Sequence, residues 1–139
     1  MDVKSREEII NFAQKLNSTN LSPLRSGNIS LKAQNNNEEG FLITPSGKKY
    51  NSLKADDIVF VSLKGNYDKK GLQPSSEWRF HKDIYLNKTD AKAVVHAHSP
   101  HATAVSAHNK DIPAFHYMIA LAGGDNIKCA KYATFGSQE

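Results

Sequence analysis

The sequence predicts one layered domain of mixed α/β or α+β type, and three observations carry that expectation. The chain has 139 residues, inside the roughly 100–200 that a single domain commonly takes. Hydrophobic residues make up 39%, charged residues 23%, and the eight Gly and five Pro are scattered. That is the balance of a globular chain rather than a disordered, collagenous or coiled-coil one. Stretches with helical periodicity also alternate with short strand-like runs, without a repeat or low-complexity tract.

The first element is a helix over 5–16. Ser5 is placed to cap it, Glu8 stands at capping-box spacing, and Ile9, Phe12, Ala13 and Leu16 form one apolar face. A polar stretch from Asn17 to Ser22 leads into Pro23. Two strands follow, Ile29–Ala33 and Phe41–Thr44, around an Asn-rich hairpin segment that ends in Gly40. Pro45-Ser46-Gly47 is a turn, and the run Asp57–Leu63 reads as a third strand closed by Gly65-Asn66. Ser75-Ser76 opens a helix that contains Trp78, Phe80 and Ile84. Ala93–Ala97 is a core strand, and Pro100 suits the first turn of a helix over 101–108. Ile112–Tyr117 reads as extended, Met118–Ala122 as ambiguous, and Gly123-Gly124 interrupts the chain before Ile127–Ala130.

Several function classes drop out on composition. A lone Cys129 forms no internal disulfide, and no CxxC pair marks a thiolate metal site. The longest apolar stretch, around Met118–Ala122, is far shorter than the roughly 20 residues of a membrane helix. The charged start MDVKSREEII lacks the apolar core of a signal peptide. A reducing, cytoplasmic location is therefore expected. Lys plus Arg number 18 against 14 Asp plus Glu, for a net charge of +4, but only Arg6, Arg25 and Arg79 are arginines. The lysines are dispersed, as on a solvated surface, whereas nucleic-acid binding concentrates positive charge and uses arginine. No nucleic-acid or membrane partner is expected.

The histidines are not dispersed: all six lie between His81 and His116. His96-Ala97-His98 ends an apolar strand, and residues i and i+2 of a strand share a face. The two imidazoles can converge on one divalent ion such as Zn²⁺, with His101 or a distant residue as a further ligand. They can equally be partly buried histidines with ordinary hydrogen bonds. Glu77 follows Pro74-Ser75-Ser76 at a helix start, where a carboxylate is favoured by the helix dipole alone. The same start offers N–H groups and two hydroxyls to a phosphate. Thr44-Pro45-Ser46-Gly47 and Ser26-Gly27-Asn28 offer two similar turns. Nothing local brings the three together. Arg79 suits either an anion or a surface carboxylate.

Taken as a set, SGNIS (26–30), ITPSG (43–47), PSSEWRFH (74–81), AVVHAHSPHATAVS (93–106), IPAFHYMIALAGG (112–124) and YATFG (132–136) resemble the class II aldolase/adducin family, in the family's order and from Gly27 onward. Glu77 with the following WRFH, and the HYMIA run, favour the branch that cleaves L-fuculose 1-phosphate. Pentulose-phosphate 4-epimerases are similar but carry PSSD. Rhamnulose-phosphate aldolases and methylthioribulose-phosphate dehydratases are less close, and a non-catalytic aldolase/adducin-like interaction protein is the alternative from another class.

The resemblance implies an α/β/α fold, a mainly antiparallel central sheet flanked by helices. It implies a zinc-dependent, reversible cleavage of L-fuculose 1-phosphate to dihydroxyacetone phosphate and L-lactaldehyde, by a homotetramer with sites at subunit interfaces. His96 and His98 match two of three zinc histidines, and Glu77 the proton-moving carboxylate. Tyr117 matches a tyrosine on the aldehyde side. Gly27, Asn28, Ser46, Gly47, Ser75 and Ser76 match the phosphate positions. The family's third zinc histidine lies beyond YATFG and has no match before Glu139, so residues 1–139 are expected to form a family domain lacking its C-terminal part. The implied chemistry suits these residues. Aldol cleavage removes a hydroxyl proton and leaves an enediolate, whose charge a divalent ion stabilises. Glu77 can move the protons if its surroundings bring its pKa toward neutrality.

Overall fold

The computed structural model describes residues 3–24 and 26–137; Arg25 and the end of the chain at Glu139 lie outside them. The first helix, α1 (Val3–Ser18), buries Ile9, Ala13 and Leu16 along one stripe. It begins two residues earlier than its sequence predicts, so Ser5 lies in the first turn and does not cap the helix. Phe12 is 45% exposed, with the Lys15 ammonium 4.9 Å over its ring, because it lies at the margin of the buried stripe. Arg6 donates to the carbonyls of Ala55 (2.8 Å) and Ile58 (2.5 Å), which fastens α1 to a 3₁₀ turn at Ala55–Asp57.

Four strands form one sheet in the order β3-β2-β1-β4: β1 (Asn28–Asn35), β2 (Glu38–Ile43), β3 (Val59–Ser62) and β4 (Ala93–His96). Every pairing is antiparallel. β1 and β2 are joined through Asn36 and Asn37, which both have positive φ (47° and 63°). A type I′ hairpin turn requires that conformation, and asparagine tolerates it well. The Asp57–Leu63 run gives a strand only from Val59, since the preceding residues close the 3₁₀ turn.

The two faces of the sheet follow from the period-two alternation of its side chains. Ile29 and Leu42 point to the α1 side and join Ile9, Ala13, Leu16, Tyr50, Leu53 and Ile58. Phe41, Ile43, Val61 and Val94 point to the other side and pack with Tyr85, Trp78, Phe80 and Ile84 of the second helix, α2 (Trp78–Asn87). Burial of each such side chain contributes about 1.5–3 kcal/mol. The result is a sheet covered by a helix on each side, in agreement with the α/β reading and with the antiparallel sheet that the resemblance implies.

One consequence of the alternation governs the site. Asn28 and Ser30 face α2, and their register partners on β4 are His96 and Val94. The third helix, α3 (Pro100–Ser106), starts with Pro100 in its first turn and ends two residues short of the expected limit. Beyond it, the expected strand over 112–117 is reduced to one bridge between Ile112 and Ile127, and the ambiguous Met118–Ala122 stretch belongs to a 3₁₀ turn at Tyr117–Ala122. This C-terminal stretch lies outside both apolar clusters, and Phe115, Leu121, Tyr132 and Phe135 are exposed. No helix among the described residues is long and apolar enough to cross a membrane.

Candidate active site

The three polar turns that no local signal connects meet at the α2 end of β1 and β2. Pro45 bridges Pro74, the Ser46 N–H donates to the Gln73 carbonyl (2.9 Å), and the Ser75 N–H donates to the Thr44 carbonyl (3.0 Å). The Thr44 N–H donates to the Ile29 carbonyl (3.1 Å), while the Thr44 hydroxyl accepts from the Ile29 N–H (3.3 Å). Tyr50 then donates its hydroxyl to the Gly27 carbonyl (2.5 Å). Gly27 has φ +80°, and a Cβ there would stand 2.6 Å from the His96 carbonyl oxygen, so only glycine suits the turn. Gly47, with φ +74°, makes the second turn.

These turns enclose a cavity of about 310 Å³. All six expected phosphate residues, Gly27, Asn28, Ser46, Gly47, Ser75 and Ser76, line it together with Glu77 and His98. Hydroxyls and turn backbone gathered in this way suit an anion with several oxygens. Lys48 and Tyr50 also line it, and sequence reasoning did not single them out. Lys48 reads as one of many dispersed lysines, and Tyr50 as a residue near a turn. Lys48 is paired with Asp57 at 2.6 Å. Burial and the nearby Glu77 carboxylate push the Tyr50 phenol up to about 12, so it remains a donor.

Glu77 occupies the N-cap position of α2 without a side-chain bond to the helix, and its Oε2 accepts from the Asn28 amide at 2.7 Å. The amide of Asn28 is thus committed to the carboxylate and, through its oxygen, to His81. His96 ends β4 on the same face, with Nε2 at 3.6 Å from the Glu77 carboxylate. Burial lowers the pKa of His96, Glu77 opposes that shift, and His98 adds to it. His98 lies two residues past the end of the strand, where its N–H donates to the Ser22 hydroxyl (2.9 Å). The two rings nonetheless converge, Nε2 to Nε2 at 2.7 Å.

Two imidazole nitrogens aimed at one point, with a carboxylate beside them, are a donor set suited to a divalent ion. Among the described residues no group of three or more His, Cys, Asp or Glu side chains gathers around such a point. On their own, His96 and His98 supply two nitrogen donors, which is only part of an ion's coordination sphere. His101 is exposed on α3, and His116 uses Nδ1 to accept from the Met118 N–H. Tyr117 is 80% exposed, its ring against His116, and does not line the cavity. Arg79 donates to the Gly136 carbonyl and stacks on Trp78, so it too lies away from the cavity.

An antiparallel sheet between helices, with a carboxylate and paired imidazoles beside a polar, turn-lined cavity, defines the class. The chain belongs to the class II aldolase and adducin N-terminal domain family, whose model matches residues 7–139. It is 46% identical to L-fuculose phosphate aldolase of Escherichia coli K12 over 136 residues, which are 98% of this chain and 61% of that protein. It is 42% identical to the 5-methylthioribulose-1-phosphate/5-deoxyribulose-1-phosphate aldolase of Rhodospirillum rubrum, over 96% of this chain and 58% of that one. A solved L-fuculose 1-phosphate aldolase superposes with a TM-score of 0.89 at 35% identity, covering 99% of this chain and 64% of the other. The chain thus spans about three fifths of the length of these relatives.

Proposed function

We propose that this chain carries the phosphate turns, the proton-moving carboxylate and two metal ligands of a cytoplasmic, zinc-dependent aldolase. Its reaction is the reversible cleavage of L-fuculose 1-phosphate to dihydroxyacetone phosphate and L-lactaldehyde. The observation that carries the reading is the shared cavity: five anion-suited turn residues, Asn28, Glu77 and His98 line one space. The phosphate is held by the Gly27, Ser46–Gly47 and Ser75–Ser76 turns, which orient the substrate from a non-reacting group and so contribute remote binding energy. Asn28 stands at the same wall and turns its amide to Glu77.

His96 and His98 hold the ion, and the resemblance implies a third histidine C-terminal to the YATFG segment. When bound, zinc supplies Lewis-acid stabilisation of the charge left by carbon–carbon cleavage. The reaction removes the proton of the hydroxyl on the aldehyde side, breaks the adjacent carbon–carbon bond, and returns a proton to the carbon of the dihydroxyacetone phosphate fragment. Glu77, within reach of both turn and imidazoles, moves that proton. Tyr117 is exposed and does not line the cavity of its own chain. It acts on the aldehyde side from a neighbouring copy in a homo-oligomer, for which a tetramer is the family precedent. A shorter phosphorylated ketose is the second reading, favoured by the 42% identity to the ribulose-phosphate-type aldolase.

The test uses the full gene product. Dihydroxyacetone phosphate release is measured from L-fuculose 1-phosphate and from 5-deoxyribulose 1-phosphate, with zinc content determined by mass spectrometry. Glu77→Gln lowers kcat by about 10²–10⁴-fold and leaves zinc content unchanged, whereas His96→Ala and His98→Ala lose zinc. Wild-type turnover by Glu77→Gln would remove Glu77 from proton transfer. Zinc-loaded protein that cleaves neither ketose would overturn the aldolase reading.

A further inference from the structure

Beneath Glu77, Asn28 leads into a line of polar side chains, Ser30, His81 and Tyr85, that the reaction above does not use. Asn28, Ser30, His81 and Tyr85 are each at most 3% exposed. Asn28 bonds to Glu77 at 2.7 Å and to His81 Nε2 through its own oxygen. His81 Nδ1 lies 2.7 Å from the Ser30 hydroxyl, which lies 2.8 Å from the Tyr85 hydroxyl. The backbone of Val94 bonds to Tyr85 at the far end. The line exists because Asn28 and Ser30 share the face of β1 that α2 covers, and His81 and Tyr85 are one helical turn apart on α2.

Donor and acceptor counting permits one direction for the whole line. The Asn28 NH₂ donates to the Glu77 carboxylate. The Asn28 oxygen must then accept, so His81 carries its proton on Nε2. Burial pushes His81 down to about 3, so the ring is neutral and Nδ1 is an acceptor. The single proton of Ser30 therefore points at His81, and its oxygen accepts from Tyr85. Tyr85 can donate, since burial pushes its phenol up to about 12. Each bond polarises the next towards the carboxylate.

An asparagine amide is nearly symmetric in shape, so packing alone does not choose which end meets Glu77. The chemistry of its two neighbours makes the choice. With His81 protonated on Nδ1, its bare Nε2 would attract the Asn28 NH₂ and turn the amide oxygen toward the carboxylate, which repels it. We propose that Glu77, through Asn28, and Tyr85, through Ser30, together hold His81 in the Nε2–H tautomer, and that this line holds the Asn28 amide in the orientation that positions Glu77. Ser30, His81 and Tyr85 are positioning residues. The effect on turnover rests on the proton-transfer reading of Glu77, whereas the tautomer does not.

The experiment uses the full gene product labelled with ¹⁵N-histidine, and long-range ¹H–¹⁵N spectra assign the proton of His81. The wild type shows the Nε2–H form. Ser30→Ala removes one oxygen, adds no volume, and leaves His81 Nδ1 without its donor while Asn28 keeps the ring in the Nε2–H form. Its kcat falls about tenfold with KM for the ketose phosphate within about twofold, the signature of a misaligned reacting group. Ser30→Thr retains the hydroxyl and restores kcat. Tyr85→Phe keeps the Nε2–H tautomer, because Ser30 then has only His81 to donate to, and its kcat lies between wild type and Ser30→Ala. A wild-type His81 protonated on Nδ1 would overturn the proposal, and so would an unchanged kcat in Ser30→Ala. If no version turns over substrate, the aldolase reading fails, and the tautomer of wild-type His81 still decides whether the line runs in this direction.

Discussion

His81 carries the largest protonation change that folding imposes on any histidine of the site. It is fully buried between the rings of Phe41 and Phe80, with Ser30 and Asn28 on its nitrogens and Tyr85 and His96 as its titratable neighbours. Its pKa falls to about 3, first through burial and then through His96, against about 6.5 in an unfolded chain. Between those values the unfolded state binds a proton that the native state refuses, so stability rises with pH. The contribution is complete above the unfolded value and is lost as pH falls toward 3. Urea unfolding at pH 7 and pH 5 is expected to differ by about 2 kcal/mol from this residue, and His96, depressed in the same direction, adds to the slope. His81→Gln removes the larger part of it. Equal stabilities of the wild type at the two pH values would show that His81 protonates freely within the fold.

At the scale of elements, β1 and α2 matter most, because between them they hold the sheet core and the site. Phe41 on the neighbouring β2 joins the two: its ring is 5.3 Å from Tyr85 and 6.5 Å from His81. Phe41→Ala is expected to destabilise by about 3–5 kcal/mol, as for other buried aromatic truncations. Phe12 has the same side chain and an apparently similar place in the sequence pattern of α1, yet it is half-exposed beside Lys15. Phe12→Ala is expected to change stability by less than about 1 kcal/mol. Chemical denaturation of both variants checks the contrast. Equal losses would mean that α1 packs on the sheet by a different face.

For the whole molecule, the unequal distribution of apolar surface stands out. The sheet faces are packed, while Phe115, Tyr117, Leu121, Tyr132 and Phe135 all lie exposed between residues 115 and 135. Each would contribute about 1.5–3 kcal/mol if covered, and surfaces of this kind mark association sites. The proposed homo-oligomer uses them. Sedimentation velocity of the full gene product is expected to show a multiple of the monomer mass, and Phe115→Glu with Leu121→Glu to shift it to monomer. An unchanged mass for the double variant would place the subunit contacts elsewhere.

Much of this architecture is written locally. The stripe of Ile9, Ala13 and Leu16, the alternation of β1 and β2, and the Asn36-Asn37 turn depend on residues a few positions apart, and their elements follow within about two residues. The same holds for the pairing of His96 with His98, although strand geometry ends at His96 and the second ring arrives from a loop held by Ser22. Each turn that lines the cavity is legible as a turn. Their meeting is not, because it depends on strand register and on backbone bonds such as Ser75 to Thr44, which join residues about 30 apart. The role of His81 is least legible of all. Its sequence neighbours suggest a helical packing residue, and only the approach of β1 supplies Asn28 and Ser30 as partners for its two nitrogens. Backbone preference and apolar period act over one or two turns of chain, whereas a site needs side chains from separate elements within bonding distance, which packing alone arranges.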